Sequence, residues 1–278
     1  MTVCVCLASR GRPSLLNQTV KQLDQLAKLD STIISIGLDS DDVDAHAVEP
    51  IKRTRVSIAE REDALGEKYN RCARGIDADV FVLWADDVVT TTEGWDEKLD
   101  EAAKLFTDGM GIIYFGKIEG VLQPGIAVTR KMIDMMGFFC VPYFPYWWHD
   151  TWIDEIGRMS DRIISVDIKM ELLQGMAGKS RGVREILFWA ELFDRLRDKR
   201  REVAENIIRA GDDQPWRKVQ TRSRIRQVEQ MVNHRNSILR DPNEAARLEK
   251  HYSFDAPADE RYLRMKAKAE EMLKGLTA

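Results

Sequence analysis

The stretch FVLWADDVV, residues 81–89, runs four apolar residues and an alanine into two adjacent carboxylates, Asp86 and Asp87, and then resumes as valines. A short apolar run of this kind reads as a buried strand. Two like charges at its end repel each other unless water, a cation or a cationic ligand screens them. The pair is therefore either an Asx turn where the strand yields to a loop or a site for something positively charged.

The neighbouring segments give the stretch its setting. TVCVCLA (2–8) has the β-branched pattern of a strand, the turn SRGRP (9–13) follows, and Pro13 suits the first position of a helix that carries Leu16, Val20 and Leu23 at helical spacing. TIISIGLDSDD (32–42) is a second strand ending in acids, TRVSI (54–58) a third, EREDALGEKYNRCARGI (60–76) a helix, and DVFVLWADDVV (79–89) a fourth strand. This alternation predicts an α/β fold with a mixed, largely parallel sheet flanked by helices, whose ligand site lies beyond the carboxyl ends of the strands. Asp39 to Asp42 and the pair Asp86 and Asp87 fall at those ends. MGIIYFG (110–116) and GIAVTR (125–130) read as further strands and KMIDMMGFF as a short helix. The aromatic loop VPYFPYWWHDTW (141–152) leads into a helix to about Met159, and RIISVDI (162–168) reads as the last strand.

Beyond Lys179 the pattern is helical: Ile186, Ala190, Phe193 and Leu196 form one apolar stripe, and Tyr262, Met265, Ala269 and Met272 another. The expected organisation is a sheet domain over 1–180 and an all-helical extension over 181–278. At 278 residues and 44% hydrophobic, the chain is long enough to bury a sizeable core. No apolar run approaches the roughly 20 residues of a membrane span, and no charged region precedes the short apolar stretch at the N-terminus. Cys4, Cys6, Cys72 and Cys140 show no CxxC spacing and read as reduced, buried thiols, so the expected location is cytoplasmic, with no membrane partner. Residues 179–278 carry 23 Lys and Arg against 17 Asp and Glu, whereas residues 1–178 carry 19 against 29.

Hard cations such as Mg²⁺ or Mn²⁺ take carboxylate oxygens and leave positions for water and substrate phosphates. The order of strand, SRGRP turn, LDSDD, GEKYNRCARGIDAD, VFVLWADDVV, PGIAVTRKMIDMMGFF and HDTW resembles the GT-A fold glycosyltransferases of the family 2 type, over about residues 1–180. The resemblance implies a nucleoside-diphosphate sugar donor, a UDP-sugar foremost, bound through Mn²⁺ or Mg²⁺. Asp86 and Asp87 match the family's DxD-type element, Asp87 as the direct ligand. The same resemblance implies that Asp39 contacts the base or ribose, that Arg10, Arg12 and Pro13 lie along the nucleotide, and that Asn70 is near it.

Inverting members carry a carboxylate base at the opening of a helix after the acceptor-side strand, usually as ED. Here the pair is His149 and Asp150: Asp150 is the expected base, with a helix cap as its alternative role, and His149 is a second catalytic candidate, with a packed or hydrogen-bonded role as its alternative. The family's frequent metal-ligating His after the last strand is missing from SVDIKMELLQGMAGKSRG. Glu171 is the candidate replacement ligand and Lys179 the candidate diphosphate cation. Tyr146, Trp147, Trp148 and Trp152 are expected to stack on a sugar or base.

RKVQTRSRIR (217–226) places Lys218, Arg222 and Arg226 at four-residue spacing, a stripe that suits phosphates or a solvated face equally. Small GT-A enzymes of this sort resemble those that bacteriophages use to glycosylate hydroxymethylated pyrimidines. DNA is thus the first expected acceptor, followed by a glycan, a lipid-linked sugar or a protein; for a phage-encoded chain the location would be the host cytoplasm. The C-terminal helices are also a candidate dimer surface. Two other classes stay open: a catalytically silent GT-A-like module that binds nucleic acid, and a nucleotidyltransferase, although the Gly-rich loop usual there is absent from SRGRPSLL.

Overall fold

Val3, Cys4, Val5, Cys6 and Leu7 are all completely buried, as expected of a central strand covered on both faces. In the computed structural model, which describes residues 1–44, 47–116, 125–173, 184–211, 225–228, 230, 241–252 and 259–277, this strand is β1 (Val3–Ala8). It pairs in parallel with β2 (Ile33–Asp39) on one side and β4 (Val80–Trp84) on the other. The remaining strands are β3 (Thr54–Ala59), β5 (Val88–Thr90), β6 (Ile112–Phe115), β7 (Gly125–Thr129), β8 (Ile163–Val166) and β9 (Met170–Leu172). Seven of them form one sheet in the order β3-β2-β1-β4-β7-β6-β8, parallel throughout except where β7 runs against β4 and β6. β5 and β9 make a separate antiparallel pair.

The helices of the sheet region are α1 (Pro13–Leu26), α2 (Leu65–Ala73), α3 (Trp95–Lys104) and α4 (Arg130–Met136). Pro13 stands at the first turn of α1, and Leu16, Val20 and Leu23 turn into the core with Val5, Ile36, Val82 and Trp84. Two expectations shift here. The strand predicted over 79–89 breaks at Ala85, where the Val88 amide bonds back to the Ala85 carbonyl at 3.4 Å. The helix predicted over 60–76 is only nine residues long.

Contacts divide the chain into two compact units: Met1–Arg61, Glu67–Cys140 and Arg162–Gly178 form the sheet unit, and Glu62–Gly66, Val141–Asp161 and Lys179–Ala278 the helical unit. The helical unit thus takes in the aromatic loop and α5 (His149–Ser160) as well as α6 (Ile186–Arg195), α7 (Arg197–Ala210), α8 (Pro242–Tyr252) and α9 (Glu260–Thr277). Its interior is aromatic: Phe144 lies against Trp148, Trp152, Trp189 and Phe193, with ring centroids 5.4 to 6.5 Å apart. The stripe Ile186, Ala190, Phe193 and Leu196 is fully buried, as its spacing predicts. Among the described residues, no helix is long and apolar enough to cross a membrane.

Candidate functional site

β1 is where the sheet order reverses, with β2 and β3 to one side and β4 to the other. Loops leaving the carboxyl ends of β1 and β4 therefore start at a topological switch point, where open α/β sheets bind their ligands. The register pairs Leu7 with Trp84, so Ser9 and Asp86 emerge side by side, and the Ser9 hydroxyl donates to Asp86 Oδ2 at 2.5 Å. The turn carrying the two carboxylates is pinned by its backbone. Thr19 Oγ1 on α1 donates to the Asp86 carbonyl at 3.0 Å, the Leu173 amide donates to the Asp87 carbonyl at 2.8 Å, and Trp84 Nε1 reaches over the turn to the Val88 carbonyl at 2.8 Å.

The repulsion between the two carboxylates is answered inside the chain. Arg12 forks across them, Nη2 to Asp86 Oδ1 and Nη1 to Asp87 Oδ2 at 2.9 Å. Asp86 is buried, while the side chains of Arg12 and Asp87 are 22% and 26% exposed. Burial pushes the Asp86 carboxyl up, against the pull of Arg12 and Ser9, and the neighbouring Asp87 pushes it further in the same direction. The sequence reading left the pair's counter-charge to a metal ion; in this structure a guanidinium supplies it.

A second ion cluster lies at the end of β2. Asp39 is completely buried, with Lys68 Nζ 2.6 Å from Oδ1 and Arg10 Nη1 3.2 Å from Oδ2. Arg61 Nε stands 3.9 Å from Oδ2. Arg10 also forks onto Asp41 at 2.6 and 3.2 Å, and the Gly11 amide donates to Asp42 Oδ2 at 2.8 Å. Gly37 makes the Lys68 contact possible: a Cβ there would stand 2.7 Å from Cys72 Sγ and 3.1 Å from Lys68 Cγ. α2 can thus lie close on β2 and swing a lysine over its end.

Ser9, Lys68 and Arg61 were not picked out by the sequence reading. For Lys68 the signal was present, since it lies four residues before Cys72 on α2 and so shares the face that the buried cysteine turns to the sheet.

Other expectations change. Asn70 spends both ends of its amide on Cys140, Nδ2 to the carbonyl at 2.7 Å and Oδ1 from the amide at 2.8 Å. It clips α2 to the chain after α4 instead of facing a ligand. Trp148, Trp152 and Tyr146 are buried, because the aromatic loop is the core of the helical unit and not a displayed surface; Trp147 is only partly exposed. The Tyr146 hydroxyl exchanges hydrogen bonds with the Arg184 backbone, and burial pushes its pKa up.

Trp147 and Trp148 hold φ values of 53° and 55°, a conformation that costs bulky residues about 1–3 kcal/mol each. His149 is buried and opens α5, and the partly exposed Asp150 accepts the Thr151 amide at 2.8 Å. Glu171 is exposed on β9 opposite Val89, and among the described residues no three His, Cys, Asp or Glu side chains gather as a metal-ligand set. Lys179, Lys218 and Arg222 lie outside the described residues; Arg226 is exposed in a helical segment. Within 195–201, Arg195, Arg197 and Arg201 pair with Glu191, Asp194 and Asp198 on neighbouring helical turns, as on a solvated face.

The architecture is that of known sugar-transferring enzymes. The chain is similar to the mannosyltransferase PcManGT from Pyrobaculum calidifontis, solved in complex with GDP-Man and Mn²⁺, with a TM-score of 0.57 and 14% identity over 98% of this chain and 80% of that one. The fold is the GT-A glycosyltransferase fold. The same GT-A likeness extends to residues 1–349 of TarS from S. aureus in complex with UDP-GlcNAc, at a TM-score of 0.56 and 9% identity, covering 91% of each chain. It extends also to GalNAc-T7 with UDP, GalNAc and Mn²⁺, at 0.52 and 12%, covering 72% of this chain and 50% of that one. No protein-family model and no curated protein sequence matches the chain.

Proposed function

We propose that this protein is a glycosyltransferase that moves a sugar from a nucleoside diphosphate to an acceptor hydroxyl with inversion at the anomeric carbon. The observation that carries this reading is the charged cluster at the ends of β1, β2 and β4, where Arg10, Arg12, Arg61 and Lys68 meet Asp39, Asp86 and Asp87 in a GT-A fold. Guanidinium and ammonium groups at strand ends suit a diphosphate, since arginine forks match its paired oxygens and lysine adds a point charge. In this reading Asp39 works through Arg10 and Lys68, setting where those cations stand along the nucleotide.

Mn²⁺ or Mg²⁺ fits the donor set. Asp86 and Asp87 offer hard oxygen ligands, and such ions are commonly held by one or two carboxylates with substrate phosphates completing the shell. Among the described residues, Asp87 Oδ1 accepts no hydrogen bond, while Oδ2 is engaged by Arg12. Asp87 would be the direct ligand with Asp86 beside it, and the ion would neutralise charge on the diphosphate as it leaves. For the base we retain Asp150, on its place in the sequence and at the opening of α5. It would accept the acceptor's hydroxyl proton as the oxygen bonds to the anomeric carbon and the sugar–phosphate bond breaks.

The test is a thermal-shift screen of nucleoside-diphosphate sugars with Mn²⁺, UDP-GlcNAc and GDP-mannose among them. A donor at about a hundred times its Kd adds about 2.7 kcal/mol of stability, a rise of several degrees in Tm. Asp87→Ala should lose that shift. Asp150→Asn should keep it and lose transfer to an acceptor panel of hydroxymethylpyrimidine DNA, simple glycans, a lipid-linked sugar and a protein. DNA stands in the panel on the basic stretch 217–226, and transfer to it would make the phage-type reading the correct one. An unchanged Tm with every donor would overturn the glycosyltransferase reading.

A further inference from the structure

We propose that Arg12 is a displaceable counter-ion of the Asp86–Asp87 pair, so that a divalent metal alone binds poorly and metal and nucleoside diphosphate bind together. The inference rests on the reading above, that this pair receives the donor's metal ion. Three observations carry it. One guanidinium engages both carboxylates, through two different nitrogens, so it holds one oxygen of each and places a positive charge where a metal bridging the pair would sit. Among the described residues, Arg12 is the cation of this pair, whereas Asp39 next door is held by Arg10, Arg61 and Lys68.

The third observation is that the fork is partly open to solvent. Arg12 stands at the boundary between the β1 loop and α1. Its side chain and that of Asp87 both reach solvent.

A dication placed on the pair repels the guanidinium, while a diphosphate attracts it. An arginine fork fits phosphate as well as it fits carboxylate. Metal and nucleotide together therefore give Arg12 somewhere to go, and metal by itself does not. The exchange needs no new charged side chain: carboxylates pass from guanidinium to metal, and the guanidinium passes from carboxylates to phosphate.

The experiment is Mn²⁺ binding followed by electron paramagnetic resonance, which reads free ion directly and needs no turnover. Wild type, Arg12→Gln, Arg12→Lys and Asp87→Asn are titrated with Mn²⁺ alone and again with saturating UDP or GDP, their folding checked by circular dichroism. Arg12→Gln should bind Mn²⁺ alone roughly five- to tenfold more tightly than wild type, the scale of releasing one partly buried ion pair. Nucleotide should tighten Mn²⁺ binding strongly in wild type and only weakly in Arg12→Gln, with Arg12→Lys between the two. Equal or weaker Mn²⁺ binding by Arg12→Gln, with Asp87→Asn losing the ion, would overturn the role of Arg12 and leave the metal reading standing. No Mn²⁺ binding by any variant, with or without nucleotide, would remove the metal reading itself and this inference with it.

Discussion

Arg200 and Arg12 each hold carboxylates, Arg200 in the helical unit and Arg12 at the strand ends of the sheet unit. Arg200 is completely buried: Nε meets Glu155 Oε2 at 2.6 Å and Nη1 the Phe193 carbonyl at 2.6 Å. Its guanidinium lies 3.8 Å from the centre of the Phe193 ring and 5.0 Å from that of Trp152. Burial pushes the Glu155 carboxyl up and pulls Arg200 down, and each partner draws the other back toward its charged form. Arg12 makes the same kind of bond, but its side chain is 22% exposed and that of Asp87 26%. The chemistry is shared, so exposure is what separates a fixed internal tie from one that a ligand can take over.

Breaking the buried tie should have the largest effect. Arg200→Met leaves Glu155 without its counter-charge in an aromatic interior, and loss of one partner from such a pair costs about 3–5 kcal/mol. Urea unfolding monitored by tryptophan fluorescence measures it. The double variant Glu155→Leu with Arg200→Met should regain most of the loss, since a well-packed apolar replacement is often neutral. A single-variant loss below about 1 kcal/mol would show that water reaches the pair and that the comparison with Arg12 is one of degree.

The strand-end cluster should respond differently to the equivalent change. Asp86→Asn keeps an acceptor for Ser9 but removes the charge facing Arg12, which can turn to Asp87 and to water. The expected cost is about 1–2 kcal/mol of stability, well below that at Arg200, and, if the proposed function holds, most metal and donor binding is lost with it. Unfolding and calorimetry on the same sample separate the two effects. A stability loss equal to that of Arg200→Met would place Asp86 among the residues that hold the fold together.

How much of this was legible in the sequence follows from how local each feature is. β1, β2 and β4 were visible because their apolar runs are continuous, and α1 because Pro13 and Leu16, Val20 and Leu23 mark its start and its buried face. β9 was missed because three residues with Glu171 and Leu172 outward carry no pattern of their own; its partner β5 looked like the end of β4. The carboxylate pair was legible as a problem, but its answer lay 74 residues away in Arg12, and pairings at that range come from sheet order, not from periodicity. The packing of Asn70 on Cys140 and of Trp148 and Trp152 in the helical unit was hidden for a related reason. An amide or an indole suits a ligand and a protein interior equally, and only packing decides which it meets.

A third ion pair extends the comparison to the surface and should give the smallest effect. Asp63 holds Arg264 of α9 at 2.7 Å and Lys268 at 3.4 Å, with the Arg264 side chain 53% exposed. Burial alone would raise the Asp63 carboxyl, but the two cations outweigh it and hold it below the usual carboxylate range. A carboxyl whose folded pKa is depressed contributes stability above its unfolded value of about 3.9, and that contribution disappears as pH falls through the lower, folded value. Asp63→Asn should therefore be slightly less stable than wild type at neutral pH and should lose less on acidification, the two Tm curves converging as pH falls through the lowered, folded value. Added salt should shrink the neutral-pH difference, because charges this exposed are screened. It should leave the Arg200→Met difference almost unchanged, since that pair is shielded from the ions in solution.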